Sequence, residues 1–222
     1  MDDGTWGLVR ESLGPLLSGT LRGTIPLTAI SFVLGLVLAL VVALMRLSTV
    51  GVVSALARFY VSIIRGTPLL LQLFIIYYAL PELGVIIDPF PSACIAFTLN
   101  IGGYASEVLR AAILAVPKGQ TEAALTVGMS YPTTLRRIVL PQATRLSVPP
   151  LSNELISLVK DTSLASGIQV VELLRKAQEI AAPTYQFFVL YSVAAVYYWV
   201  ICLVLSFTQS RLETRLNRYV AR

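Results

Sequence analysis

Histidine is absent from the whole 222-residue chain. That removes histidine zinc sites, Ser–His–Asp triads and imidazole proton relays in one stroke. No GxxxxGK[ST] run occurs either, so the chain cannot cradle nucleotide phosphates by that motif. Charge is scarce: Asp, Glu, Lys and Arg make up 13 % of residues, about half the share of a soluble domain. Cysteine is limited to Cys94 and Cys202, which lie in separate apolar runs with no CxxC spacing and read as small buried hydrophobes. An enzyme built from this inventory would have to work with carboxylates alone. The absences favour a conduit over a catalyst.

What the chain has instead is apolar length. Mean hydropathy is +0.77, and no charge interrupts residues 24–45 or 180–210. Both runs exceed the roughly 20 residues that span a hydrocarbon core of about 30 Å, so the chain reads as a polytopic membrane protein. Five segments can be drawn: 24–45, 66–81, one from 91 through "SACIAFTLNIGGYASEVLRAAIL", one at 145–165, and 185–207. The fourth is the least hydropathic, since it holds Glu154, Lys160 and Asp161. Lys and Arg fall twelve on one side (46–65, 109–145, 211–222) against five on the other. The positive-inside rule then predicts the N-terminus outside and the C-terminus in the cytoplasm. The same rule accounts for the net charge of +5 without nucleic acid. The opening "MDDGTWGLVRES" is acidic and lacks a short apolar core, so no cleavable signal peptide is expected.

Two stretches stand apart from the apolar background. "GIQVVELLRKAQEIAAP" places Val171, Leu174, Ala177 and Ala181 on one helical face against Glu172, Arg175, Lys176 and Glu179, which predicts a short external amphipathic helix over 168–181. "TEAALTVGMSYPTTLRRIVLP" at 121–141 predicts two short cytoplasmic helices with a break. Gly128 is placed to end the first at positive φ, Ser130 to cap the second, Pro132 to sit in its first turn and Pro141 to end or kink it. Leu135, Ile138 and Val139 form its apolar side, with Arg136 and Arg137 outward. Such a pair is either an ordinary hairpin or a rigid knob that docks in a groove of another protein.

Within the spans, an ionised side chain costs at least about 2.5–3.5 kcal/mol, so Glu154 must face the bundle interior or water. It either pairs with Arg145 or Lys160 or contacts an ammonium-bearing solute. Asp161 lies seven residues on, two turns along the same face. Pro149 and Pro150 are expected to break the helix just before them, beside a cavity. Asn153, Asn100 and Gln72 are further polar candidates, for solute contact or for helix–helix hydrogen bonds. Glu107 and Arg110 flank the cytoplasmic end of the third span as structural charges.

The spacing Glu122-Ala123-Ala124, three residues, Gly128, nine residues, Ile138-x-Leu140-Pro141 resembles the EAA signature of ABC-importer membrane subunits. "RGTPLLLQLFIIYYALP", "YASEVLRAAILAVPKGQTEAA", "NELISLVKDTSLAS" and "VVELLRKAQEIA" are similar to the polar amino acid uptake family of histidine, glutamine, arginine and cystine permeases, with Ser106 a small departure. The resemblance extends from about residue 20 to the C-terminus.

It implies an all-α, type I ABC-importer permease fold in a single transmembrane domain, 1–222, in the bacterial cytoplasmic membrane. Residues 118–141 would be the coupling helices, with Glu122, Ala123, Ala124, Gly128, Ile138, Leu140 and Pro141 against the ATPase. The implied partners are two ATPase subunits, a second permease chain (a copy or a paralogue), an extracytoplasmic solute-binding protein and a polar amino acid. ATP and magnesium would be bound by the partner ATPase, and no cofactor by this chain. Glu154 and Asp161 would line the solute path, Glu154 reading the α-ammonium group common to the family's substrates. The rivals are a secondary transporter or channel for zwitterionic or cationic solutes, and a membrane-embedded enzyme. Five segments without an inverted repeat speak against most transporter folds of the former kind.

Overall fold

The computed structural model describes residues 3–217, and among them all regular structure is helical. The terminal arginines Arg218 and Arg222, which entered the charge count, lie outside the described residues. The chain opens with α1 (Asp3–Gly19), which passes through a π-helical turn at Thr20–Thr24 into α2 (Ile25–Arg46). The sequence reading placed no helix before residue 24; Gly4–Arg46 is instead one continuous 43-residue helix.

The next correction concerns 46–65, expected as a cytoplasmic loop. It forms α3 (Gly51–Gly66), which buries Ser54, Ala57, Val61 and Ile64 at helical spacing. The chain then breaks within the expected second span. Thr67 is extended (φ −125°, ψ 146°) because Pro68 disfavours the α conformation in the residue before it. Beyond the break, α4 (Leu69–Phe74), a π turn at Ile75–Ala79 and a 3-10 turn at Leu80–Leu83 follow. The chain axis turns by 104° at this break.

α5 (Pro89–Leu114) matches the third expected span, and α6 (Lys118–Thr126) leaves it at 59°. α7 (Tyr131–Thr134), a π turn at Leu135–Val139 and α8 (Leu140–Asp161) run on without interruption. Pro149 and Pro150 therefore do not break the helix as expected; both lie inside α8. Side-chain donors bind carbonyls of this stretch: Ser152 Oγ donates to Val148 O (2.9 Å) and Gln209 Nε2 to Pro149 O (3.4 Å). A 3-10 turn at Thr162–Ile168, α9 (Leu173–Thr184) and α10 (Phe187–Asn217) complete the chain. Gly4–Arg46 and Phe187–Leu216 are each long and apolar enough to cross a membrane, and the two bent pairs around α3–α4 and α5–α6 pass the same test jointly.

The core is built by small residues. Ser31, Gly35, Ala39 and Ala43 recur every fourth position of α2 and are all buried. α5 answers with buried Ala93, Ala96, Gly102, Gly103, Ala105 and Ser106. A Cβ on Gly35 would stand 2.6 Å from Ile101, and one on Gly102 2.6 Å from Leu38. Side chains this short let two backbones approach where lipid offers no hydrophobic drive to hold them together.

α9 is anchored in the same way; of its expected apolar face Ala177 and Ala181 are buried, while Val171 and Glu172 exchange places. Leu173, Ala177 and Ala181 are fully buried, whereas Val171 is exposed. Glu172, assigned to the polar face, has no exposed surface. Its carboxylate caps α9, accepting from Arg175 N (2.6 Å) and Leu174 N (2.8 Å), and takes a third bond from the Tyr198 hydroxyl of α10 (2.7 Å). Burial pushes this carboxyl up, against the pull of those three donors. Leu173 N donates to Thr24 Oγ1 (3.2 Å), and the backbone at 171–172 rests on Gly19 and Gly23 of the first helix.

A Cβ at Gly23 would lie 2.2 Å from Val171 O and 2.6 Å from Glu172 Cα. Gly23→Ala must push α9 off its seat and is expected to cost about 1–3 kcal/mol. The check is the apparent melting temperature of the detergent-solubilised chain beside Gly14→Ala, whose Cβ meets nothing within 4 Å; equal melting of the two variants would contradict the seating.

Candidate functional site

The polar segment at 118–141 projects from the ends of α5 and α8. Its first helix, α6, stops in a Schellman motif: Gly128 N donates to Leu125 O and Met129 N to Ala124 O, both at 3.0 Å. Gly128 has φ +83°, the left-handed region that costs a residue with a Cβ about 1–2 kcal/mol. Ser130 occupies the cap position of α7 but leaves the backbone N–H groups alone; its hydroxyl pairs with that of Thr133 at 2.8 Å. Pro132 sits in the first turn as expected.

Pro141 does not end the helix. It falls in the first turn of α8, directly after the π turn, whose wider winding eases the contact between the proline ring and the preceding carbonyls. The second short helix expected in this segment therefore runs into α8 without a stop. Ala112, Val116, Val139 and Ala143 pack into one cluster beneath the segment, so α6 and α7 are mounted on the α5–α8 pair.

Exposure divides the signature residues. Ala124 is 3 % exposed, and Ile138 and Leu140 are half-buried, whereas Glu122, Ala123, Gly128 and Pro141 face outward. The outermost apolar side chains are Val127 (77 %), Tyr131 (65 %) and Leu125 (48 %). The arrangement is a projecting, capped knob with an apolar tip and Arg136 and Arg137 exposed at its flank.

Deeper in the bundle, Glu154 and Asp161 are both half-buried on α8. Glu154 lies in the field of Asp161 and of Arg65, from the end of α3, and Asp161 in that of Lys160. Arg65 in turn stands over the Tyr104 ring of α5, 5.3 Å from its centroid. Of the two partners left open for Glu154, Lys160 stands in the field of Asp161, and Arg65 is a cation in the field of Glu154 that the sequence reading did not weigh. Composition gave no cue to Arg65; its place just before the Gly-Thr-Pro break was the available signal.

The three amides make helix–helix contacts. Gln72 is buried, donates to Ile64 O (2.8 Å), Thr67 O (3.1 Å) and Thr67 Oγ1 (2.9 Å), and accepts from Asn100 Nδ2 (3.4 Å). It therefore braces the α3–α4 elbow against α5. Asn153 turns to α10, where its Oδ1 accepts from Gln209 (3.1 Å). Glu107 holds Arg46 of α2 in an ion pair and Arg110 at 3.0 Å, which bears out its reading as a structural charge. Glu172 was missed as a structural pivot; the signal was the Gly19-x-x-x-Gly23 spacing, which invites a close neighbour.

Known proteins resemble this arrangement from end to end. Residues 20–218 match the family model described as "binding-protein-dependent transport system inner membrane component". The L-cystine transport system permease protein TcyB of Bacillus subtilis is 58 % identical over 218 residues, covering 98 % of this chain and 93 % of that protein. The glutamine transport system permease protein GlnP of Escherichia coli is 39 % identical over 214 residues, covering 96 % and 97 %. Among solved structures, a chain from the crystal structure of an amino acid ABC transporter with histidines superposes with a TM-score of 0.90 at 34 % identity, covering 97 % of this chain and all of that one.

Gln72→Leu keeps the side-chain bulk but strands the carbonyls of Ile64 and Thr67 at the elbow. A loss of about 1–3 kcal/mol is expected, read as a lowered melting temperature in detergent. An unchanged melt would show that the elbow does not depend on this amide.

Proposed function

Because the chain belongs to the family of binding-protein-dependent transport system inner membrane components, we propose that it is the permease subunit of an ATP-driven amino acid importer, with cystine as its substrate. In this reading it crosses the membrane five times, N-terminus outside and C-terminus in the cytoplasm. The α8 segment, although it falls short of a span on hydropathy, is the fourth crossing. A second permease chain completes the translocation path, two ATPase subunits dock on the 118–141 knob, and a solute-binding protein delivers substrate from outside.

The observation that carries the reading is the knob itself. A Schellman-capped α6 with an exposed apolar tip, packed on α5 and followed by an α7 that runs straight into α8, is built to receive force without melting. The chain has no phosphate-binding loop of its own, so the work comes from a partner. From Tyr131 to Asp161 the helix is unbroken, and a push on the knob reaches Glu154 and Asp161 along a single rod.

Cystine suits the carboxylate pair. It carries an α-ammonium group at each end, with its two Cα atoms about 5.5–6 Å apart across the disulfide. Glu154 and Asp161, two turns apart and about 10 Å along α8, can each approach one ammonium. The 58 % identity to a cystine permease supports the same choice.

Two experiments in proteoliposomes with the ATPase and the binding protein test this. Gly128→Val, strained by about 1–2 kcal/mol at its positive φ, is expected to insert normally and lose ATP-driven uptake; wild-type transport would remove the coupling role. Glu154→Gln and Asp161→Asn, each losing a charged hydrogen bond worth about 1.5–3 kcal/mol, are expected to raise the half-saturating cystine concentration on the order of tenfold. Stronger competition by arginine or glutamine than by cystine, or unaltered saturation in both variants, would overturn the substrate assignment.

A further inference from the structure

One helical stripe of α10 joins two features that the transport reading leaves unused. Its upper part lines an apolar groove of about 410 Å³ between α2, α8 and α10, with Ile25, Ala29, Val159, Val200 and Val204 among its walls. Its lower part forms a shallow hollow holding Thr208, Arg211 and Arg215. At 100° per residue, positions 200, 204, 208, 211 and 215 follow one another down the same side of the helix.

Both arginines are exposed, and no carboxylate among the described residues pairs with either; the nearby Glu213 accepts from Gln209 at 2.8 Å. Arg211 is held over the Phe207 ring, 4.6 Å from its centroid. Phe207 is 62 % exposed, an aromatic side chain at the level where apolar helix gives way to charge. Val204 and Val200 stand seven and eleven residues above Arg211, about 10 and 16 Å at the helical rise. Half of a hydrocarbon core is about 15 Å, so a chain starting beside Arg211 runs the length of the groove.

We infer that this stripe holds one anionic phospholipid, its headgroup phosphate on Arg211 and Arg215 and one acyl tail in the α2–α8–α10 groove. A second copy of the chain is the competing occupant, and charge speaks against it. A twofold axis along the membrane normal brings residues of equal depth together, which would set Arg211 and Arg215 against their own copies. A phosphate neutralises the pair instead, and a tail matches walls that are apolar apart from Thr24 and Thr28, whose hydroxyls are hydrogen-bonded within the protein. The inference requires that α10 spans the bilayer and that the second permease chain of the proposed transporter lies against another face; it is independent of the coupling and substrate assignments.

The test uses the purified full-length chain in neutral detergent, titrated with phosphatidylglycerol and with phosphatidylcholine of the same acyl chains. Lipid retention is read by native mass spectrometry and stabilisation by thermal melting. Two near-surface arginines predict a preference for phosphatidylglycerol on the order of 30-fold. Arg211→Gln with Arg215→Gln should abolish that preference. Ala29→Phe, at an exposed position that fills the groove, should lower retention of both lipids, and inorganic phosphate alone should not stabilise. Equal retention of the two lipids, an undiminished preference in the double arginine variant, full stabilisation by phosphate alone, or copper-catalysed crosslinking of Val204→Cys to a second copy would each overturn the assignment.

Discussion

Close approach of backbones is the constraint on which this structure rests. In lipid, apolar side chains gain little by leaving their surroundings for one another, so helices are held by contact and by hydrogen bonds. The fourfold stripe Ser31, Gly35, Ala39, Ala43 and the small residues of α5 supply the contact. Gly19 and Gly23 do the same for the chain at 171–172. Polar links then fix what contact alone would leave free to slide: Tyr60 to Leu99 O (2.6 Å), Tyr198 to Glu172 and Gln72 to Ile64 O.

The functional elements hang on that frame in a definite order. α5 leads into the knob, the knob leads into α8, and α8 carries Glu154 and Asp161. Arg46 and Arg110 converge on Glu107, near the end of α5 where it meets the segment, so the mount is tied to α2 by charge as well as by packing. On the opposite flank of α8, Asn153 and Pro149 O share Gln209 of α10. A displacement of the knob therefore engages α2, α5 and α10 together.

Much of this was legible in the residues. The apolar runs at 24–45 and 180–210 had a single physical solution, and Gly128 announced its left-handed turn because it lies between a helix-forming run and a Ser-Tyr-Pro start. Glu107 was readable as structural from its position among arginines. The misses share a cause. Helix α1, the amphipathic α3, the exposure of Val171 and the burial of Glu172 are settled by neighbours distant in sequence, such as Gly23 beneath Val171, and a one-dimensional pattern does not contain them. The prolines at 141, 149 and 150 were read by their local penalty, whereas Pro141 follows a π turn and Pro149 and Pro150 stand inside an unbroken α8.

The π turn at Leu135–Val139 has a geometric consequence of its own. It stores one surplus residue between the knob and the long helix behind it. Were the turn to tighten to ordinary winding with that residue retained, everything downstream would swing by about 100°, and Glu154 and Asp161 would turn with it. The winding of this short interval acts as a setscrew for the azimuth of the helix, which makes its local geometry as consequential as its chemistry.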